Sequence, residues 1–320
     1  MAGVTAPARE QRAPGGKFQT VVIAFIANIL VAGAKTAAAI LTGSASMLAE
    51  AAHSWADAGN EVFLVVAERR STRPADAAHP LGYGREAYVW SLFAAFGLFI
   101  AGAAVSIQHG VQELIEPEPA QDFVIAYVVL AIAAVLEGVS LAQSVVQARR
   151  TARRIGRSTF DYALNGSNST LRAVLAEDSA ALAGLAIAFL GILMHQITGD
   201  SRFDAVGSLL IGVLLGVVAL ILINRNHRYL LGEEPDDAAR QAVGDALTSH
   251  PEIERITYLH LEFVGPGRLF VVAAVDLVGD RREDDVARQL RTLERLIERS
   301  ELIQKAVLTL SVSDEPTIEI

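Results

Sequence analysis

Six long apolar segments fill most of the first 230 residues of this 320-residue chain and constrain its fold more than any other feature. Each has about 20 residues or more, the length that an α-helix needs to cross a bilayer. The segments are Phe18–Leu41, Ser44–Ala67, Ala87–Leu114, Phe123–Gln147, Ser169–His195 and Phe203–Asn224. The sequence therefore predicts an all-α, six-helix transmembrane domain over residues 18–230.

Charge in the loops predicts how this domain is oriented. Arginines cluster after the second, fourth and sixth segments, whereas the other loops are mostly acidic. By the positive-inside rule both termini are predicted to be cytoplasmic. The polar arm, residues 1–17, precedes a first segment with no clear cleavage site, so we expect that segment to be retained. Short loops and the lack of a transit-peptide composition favour a bacterial inner (plasma) membrane.

Beyond residue 231 the sequence becomes soluble in character. Helical patterns cover 236–249 and 284–299, and strand patterns cover 256–264, 269–278 and 305–312. The order helix, strand, strand, helix, strand predicts a small cytoplasmic α+β domain over residues 231–320.

Composition excludes several classes of function. There is no cysteine, so disulfides, thiolate metal sites and cysteine nucleophiles are excluded. No nucleotide-binding loop, zincin motif or nucleophile elbow occurs, so neither an enzyme nor a bound cofactor is expected. Residues 233–320 carry 19 of the 36 acidic and 10 of the 27 basic residues, which accounts for the whole net charge of −9 and argues against a nucleic-acid partner.

His53 and Asp57 lie four residues apart in the second apolar segment. On a helix this spacing stacks the imidazole and the carboxylate on one face. A charged side chain at the bilayer centre costs about 2.5–3.5 kcal/mol even on lenient scales. An imidazole and a carboxylate converging in a dry site suit a divalent transition metal. We favour this interpretation over a hydrogen-bonded pair that only joins helices.

Other polar residues in the apolar segments have two interpretations each. Glu50 and Glu61 share the stripe of His53 and either line an ion path or are interfacial carboxylates. Lys35 either extends its ammonium out of the membrane or balances a carboxylate on that path. Asn60 is a candidate hydrogen-bond partner of the site, and Glu137 either supports a ligand or joins helices through a hydrogen bond.

Several segments together resemble one family. Thr42-Gly43-Ser44 leading to His53-Ser-Trp-Ala-Asp57, the loop Pro74–Glu86 and the segment Asp204–Gly212 are similar to the second helix, the following cytoplasmic loop and the sixth helix of the cation diffusion facilitators. This resemblance covers nearly the whole chain. It implies a cytoplasmic domain that is ferredoxin-like, a homodimer in the lipid bilayer, and export of Zn²⁺ or a similar divalent cation in exchange for protons.

The resemblance also implies metal ligands in the fifth helix, opposite those of the second. The family usually has a His/Asp-x-x-x-Asp pair there; Asp178 matches the second member, whereas Val174 stands at the first. Glu177 is the obvious substitute and resembles a family branch with a Glu-Asp pair. The implied metal ligands are therefore His53, Asp57, Asp178 and Glu177.

A second family site, in the loop after the second helix, is incomplete. Family members that bind metal there use one Asp and two His; Asp76 and His79 match, and Tyr83 stands where the second His would be. We therefore favour a solvated loop without metal.

The leading hypothesis is a proton-coupled efflux transporter of divalent metal ions, with Zn²⁺ expected and Co²⁺, Mn²⁺ or Fe²⁺ as other candidates. Protons and metal would compete for the same ligand atoms, because ligation requires neutral imidazole and ionised carboxylates. The alternative is a metal-binding regulatory or scaffolding membrane protein that does not transport. A transporter of organic substrates is disfavoured, since no segment offers the aromatic and amide lining of such a pocket.

Overall fold

Long helices dominate the first 230 residues. The computed structural model describes residues 14–117, 122–154, 158–159, 169–279, 281–300 and 302–318. The helices are α1 Pro14–Thr42, α2 Ala45–Ser71, α3 Glu86–Gly97, α4 Val105–Ile115, α5 Phe123–Arg154, α6 Ser169–Thr198 and α7 Arg202–Leu230. A π-helical segment, Leu98–Ala104, connects α3 to α4. Most of the predicted N-terminal arm, residues 1–13, lies outside the described residues; the last four residues of the arm already belong to α1.

Five helical stretches of the described chain are long and apolar enough to cross a membrane. They are Phe25–Thr42, Glu86–Ile115, Phe123–Arg153, Val174–Thr198 and Arg202–Leu230. The 27-residue helix α2 is not among them, although the sequence predicts a span there. Its middle carries the carboxylates of Glu50, Asp57 and Glu61, and these make it more polar than the others.

Helices α1 and α2 form an antiparallel hairpin. Gly43 adopts a positive φ of 66° between them, a conformation that glycine accepts without strain. Each contact between the two helices joins residues at similar distances from the turn. Lys35 contacts Glu50, and farther from the turn the Asn28 side-chain amide donates to Glu61 over 2.8 Å. Gly43 and Ser44 alone therefore separate the two helices.

The described chain divides into two compact units. One comprises the described residues up to Glu61, with Ile100–Leu136 and Ala181–Leu215; the other comprises Val62–Phe99, Glu137–Ala180 and Gly216–Ile320. Several helices contribute one part to each unit, so each unit is described by itself.

The second unit contains a three-stranded sheet. Its strands are β1 Ile253–Gly265, β2 Arg268–Leu277 and β3 Ile303–Leu310, in the order β1-β2-β3. β2 is antiparallel to β1 and parallel to β3. Alternate residues of β2 are buried, from Leu269 to Leu277, as expected for a strand with one face on a core.

Two helices accompany this sheet, α8 Asp237–Thr248 and α9 Glu283–Ile297. Asp236 is the N-cap of α8 and accepts a hydrogen bond from the Ala239 backbone N–H, which satisfies one of the free amides at the helix start. Leu293 and Ile297 of α9 belong to the same buried core as β2. The observed order of helices and strands matches the sequence prediction, with boundaries shifted by up to three residues.

The loop between α2 and α3 packs on the end of β1 within this unit. A Cβ at Gly84 would overlap the backbone of Val264 and Gly265, so the backbones of the two segments are in direct contact at this point. Arg85, beside this contact, forms an ion pair with Glu262 of β1. The loop is thereby held against the sheet by one backbone contact and one pair of charges.

Candidate metal centre

A stripe of polar side chains runs along one face of α2 inside the first unit. Ser46, Glu50, His53 and Asp57 follow each other at intervals of four, three and four residues, which places them on one side of the helix. The side chains of Glu50 and His53 are fully inaccessible to solvent, and Asp57 is 20% exposed. Glu50, His53 and Asp57 of the predicted stripe therefore share a largely buried face, which Ser46 extends toward the start of α2.

His53 is the most unusual member of the stripe. Its Nδ1 lies 3.5 Å from Asp57 Oδ1, as the four-residue spacing predicts. Among the described residues, neither ring nitrogen of His53 has a hydrogen-bond partner. A buried polar group normally has one, because leaving it unpaired costs about 1–3 kcal/mol. Two such nitrogens beside a carboxylate are the kinds of donor that a divalent transition metal binds.

Lys35 of α1 balances a carboxylate. Its Nζ lies 2.9 Å from Glu50 Oε2, and both side chains are fully buried. The structure therefore selects one of the two interpretations of Lys35, since the ammonium is not extended to an interface. The pair lies one helical turn from His53, toward the start of α2.

The start of α2 is fixed by a carboxylate from a distant helix. Asp204 of α7 accepts hydrogen bonds from the backbone N–H groups of Ala45, over 2.8 Å, and Ser46, over 3.2 Å. The Ser46 hydroxyl donates in return to the Asp204 carbonyl oxygen over 2.8 Å. Asp204 is 2% exposed. A buried negative charge at a helix N-terminus is favourable for both the free amides and the helix dipole, so this contact anchors the helix that carries His53.

Asp178 belongs to the second unit and is held by hydroxyl groups. Its Oδ2 accepts from Ser140 of α5 over 2.9 Å and from Ser144 over 3.4 Å. Glu177, its neighbour, is partly buried. Hydroxyl donors fix the orientation of a carboxylate while leaving its other oxygen available, which is the usual support for a ligand.

The structure brings together part of the predicted ligand set. His53 and Asp57 are adjacent, whereas no group of three or more His, Asp or Glu residues in the described ranges has the arrangement of a metal site. The contribution of Asp178 and Glu177 to metal binding stays a prediction.

In the loop between α2 and α3 a tyrosine occupies the place of a ligand. The Tyr83 hydroxyl donates to Asp76 Oδ2 over 2.6 Å, and the His79 ring lies against the Tyr83 ring, with their centroids 4.1 Å apart. The hydrogen bond from Tyr83 and those from the His79 and Ala78 backbones hold the pKa of Asp76 below its usual value; conversely, the Asp76 carboxylate raises the pKa of Tyr83. Asp76 is thus satisfied by neighbours of its own loop.

This loop also borders a cavity of about 410 Å³ in the second unit. Arg70, Tyr83, Arg85, Trp90 and Val264 are among the residues that line it. Arg70 lies over the Trp90 ring, and Arg85 is paired with Glu262, so the cationic groups already have partners.

Three partners of site residues were missed by reasoning from the sequence. The Ser140–Asp178 and Asp204–Ser46 contacts join helices far apart in the chain, and no short-range sequence pattern predicts them. The Lys35–Glu50 pair could have been predicted from the sequence, because Lys35 lies eight positions before Gly43 and Glu50 lies seven positions after it. In an antiparallel hairpin with a tight turn, residues equally far from the turn face each other.

The comparisons with known proteins agree with these observations. The sequence model described as "Cation efflux transmembrane domain" matches residues 21–231. The chain is therefore an integral membrane protein and belongs to the cation diffusion facilitator family.

The relatives include plant, animal and bacterial proteins. Metal tolerance protein C4 of Arabidopsis thaliana is 35% identical over 82% of this chain and 57% of its own length. The human mitochondrial "Proton-coupled zinc antiporter SLC30A9" is 35% identical over 82% of this chain and 46% of its own length. The "Cation-efflux pump FieF" of Serratia proteamaculans is 29% identical over 71% of this chain and 70% of its own length. The chain thus spans about half the length of the first two relatives.

Proposed function

We propose that this chain exports divalent metal ions in exchange for protons, with Zn²⁺ as the expected substrate. The intramembrane ligands are His53, Asp57, Asp178 and Glu177. The functional unit is a homodimer, with six membrane-spanning helices over residues 18–230 and a ferredoxin-like cytoplasmic domain over residues 231–320 of each chain. The printed names of the relatives, a proton-coupled zinc antiporter and a cation-efflux pump, support this class of function.

The unpaired imidazole of His53 is the observation that carries the proposal. A histidine that only joined helices would donate or accept a hydrogen bond, because each interhelical bond in a membrane stabilises the contact by roughly 0.6–2 kcal/mol. Instead both His53 nitrogens are buried without such a bond to any residue that the structure describes, and Nδ1 lies 3.5 Å from a carboxylate oxygen. This favours a ligand over a structural pair.

Proton coupling follows from the chemistry of these ligands. An imidazole binds a metal only when neutral, and a carboxylate only when ionised, so each proton taken up weakens the site. Ion release on the side where protons enter, and ion uptake on the side where protons leave, then form one exchange cycle. His53 and Asp57 are the groups that exchange the two kinds of cation.

Location follows from the charge pattern. The arginine-rich loops support a cytoplasmic location of both termini. The bacterial FieF relatives support a bacterial inner membrane, whereas the SLC30A9 relatives are mitochondrial by name. In either location the direction of transport is away from the compartment that holds the termini.

Transport by the reconstituted protein tests the proposal. We expect proteoliposomes with the parent chain to move Zn²⁺ when a pH gradient is imposed, and His53→Ala and Asp57→Ala to abolish this flux because each removes a ligand. Trp55→Phe is the matched control, since Trp55 lies between them on α2 and is 48% exposed; its flux should stay near the parent level.

Two results would contradict the proposal. If His53→Ala or Asp57→Ala transports at the parent rate while the control does so too, the site is wrongly assigned. If the parent binds Zn²⁺ but moves no ion from a panel of Zn²⁺, Co²⁺, Mn²⁺ and Fe²⁺, the chain is a metal-binding regulator and not a transporter.

A further inference from the structure

Glu50 is a buried carboxylate that the proposed metal site does not use. It lies three residues before His53 and is fully buried. Its Oε2 pairs with Lys35, whereas Oε1 has no hydrogen-bond partner among the described residues. A buried ion pair stabilises a protein only when the remaining lone pairs are also satisfied. A structural pair would not leave one oxygen unpaired beside a metal ligand.

We propose that Glu50 is a further metal ligand, next to His53 on the outward side, and that Lys35 is a tethered cation that competes with the metal for it. The inference rests on the proposed export function. An ion leaving His53 toward the start of α2 meets Glu50 Oε1 one helical turn farther out. The Lys35 ammonium then regains the carboxylate and displaces the ion outward.

The charges explain why the pair has to be intact. The Lys35 ammonium lies 2.9 Å from the Glu50 carboxylate, which is one helical turn from His53. A divalent ion there is attracted by the Glu50 carboxylate and repelled by the ammonium, so the two effects nearly cancel while both residues are present. Removing one charge leaves the other uncompensated about one helical turn from the ion, which changes affinity by at least about tenfold at the effective dielectric of a protein.

A glycine lets α6 approach this carboxylate directly. A Cβ at Gly184 would overlap Glu50 Oε1, so the oxygen lies against the α6 backbone. The space that a side chain would fill is thereby kept for the unpaired oxygen. This arrangement is consistent with an oxygen that exchanges partners during transport.

Zn²⁺ binding by single variants tests the inference, because the two charges have opposite signs. Measured by titration of the purified 320-residue chain, Lys35→Met should tighten Zn²⁺ binding at least about tenfold, and Glu50→Gln should weaken it at least about tenfold. Thr36→Val is the matched control. Thr36 neighbours Lys35 and accepts a hydrogen bond from Trp55 of α2, so this variant also loses an α1–α2 contact, but its Zn²⁺ affinity should stay unchanged.

A purely structural ion pair predicts a different result. Both single variants would then perturb the hairpin, and Zn²⁺ affinity would fall in both or change in neither; either outcome overturns the inference. If a single unpaired buried charge prevents folding, the neutral double variant Lys35→Met/Glu50→Gln is tested in place of the single variants. It should bind Zn²⁺ within about threefold of the parent but export it at least about fivefold more slowly; parent-like export would overturn the inference.

The same titration distinguishes a failure of this inference from a failure of the proposed function. His53→Ala is included in the same titration and should lose Zn²⁺ binding whether or not Glu50 takes part. If it does so while the Lys35 and Glu50 variants bind like the parent, the inference alone fails. If His53→Ala binds like the parent, the proposed site itself is wrong.

Discussion

Removing the Asp204 carboxylate should destabilise the anchored start of α2 by a predictable amount. In Asp204→Ala the backbone N–H groups of Ala45 and Ser46 lose their acceptor in a region where Asp204 is 2% exposed. An unpaired buried donor costs about 1–3 kcal/mol, and helix N-caps contribute about 0.5–2 kcal/mol. We therefore expect a loss of about 2–4 kcal/mol in the free energy of unfolding. Asp204→Asn keeps one acceptor oxygen but no charge, so about half of that loss is expected.

Unfolding of the purified protein by SDS in mixed micelles can measure this change. Trp55 on α2 is one of the two tryptophans of the chain, so its fluorescence reports on this helix. Asp200→Ala is the matched control: Asp200 also accepts a backbone N–H bond at the start of α7, from Arg202 over 3.0 Å, but it is exposed. Its replacement should cost about 1 kcal/mol or less. If Asp204→Ala costs no more than Asp200→Ala, the anchoring role is refuted.

Two further predictions concern the other carboxylates. Asp178→Asn should reduce Zn²⁺ affinity by about tenfold or more and by more than Glu177→Gln does, because Asp178 matches the family ligand and is oriented by hydroxyl donors; a larger effect of Glu177→Gln in the same titration would reverse the assignment. Tyr83→His should let the loop bind one additional Zn²⁺ per chain together with Asp76 and His79, as counted by equilibrium dialysis. Tyr83→Phe, which only removes the hydrogen bond and so raises the pKa of Asp76 toward its usual value, should bind no additional ion. Equal stoichiometry in the two variants would show that the loop cannot form a site.

The helices were predictable because length and hydropathy act locally. All six predicted segments are helical where the structure describes them, but three of them continue well beyond the apolar run, α2 to Ser71, α5 to Arg154 and α7 to Leu230. Arginine is a good helix former, so the hydrogen-bond ladder continues where hydrophobicity ends. Hydropathy locates a helix; it does not determine where that helix stops.

The candidate site was predictable only along a single helix. The spacing of His53 and Asp57 fixes their proximity once α2 is helical. The partners of Asp178 and Ser46 depend on how separate helices pack, which no short-range pattern encodes. The hydrogen bond from Tyr83 to Asp76 was likewise not predictable, since the sequence indicates only that a histidine is missing there.

The contact between Gly84 and Gly265 has a consequence for how mutational scans of this protein should be interpreted. The two backbones touch with no side chain between them, so even a methyl group at either position would force the loop away from β1. The neighbouring ion pair of Arg85 and Glu262 would be separated by the same displacement. Alanine is normally the mildest replacement in such a scan, but here its methyl group would push the loop and β1 apart. The positions in this contact most sensitive to substitution would therefore be its two glycines.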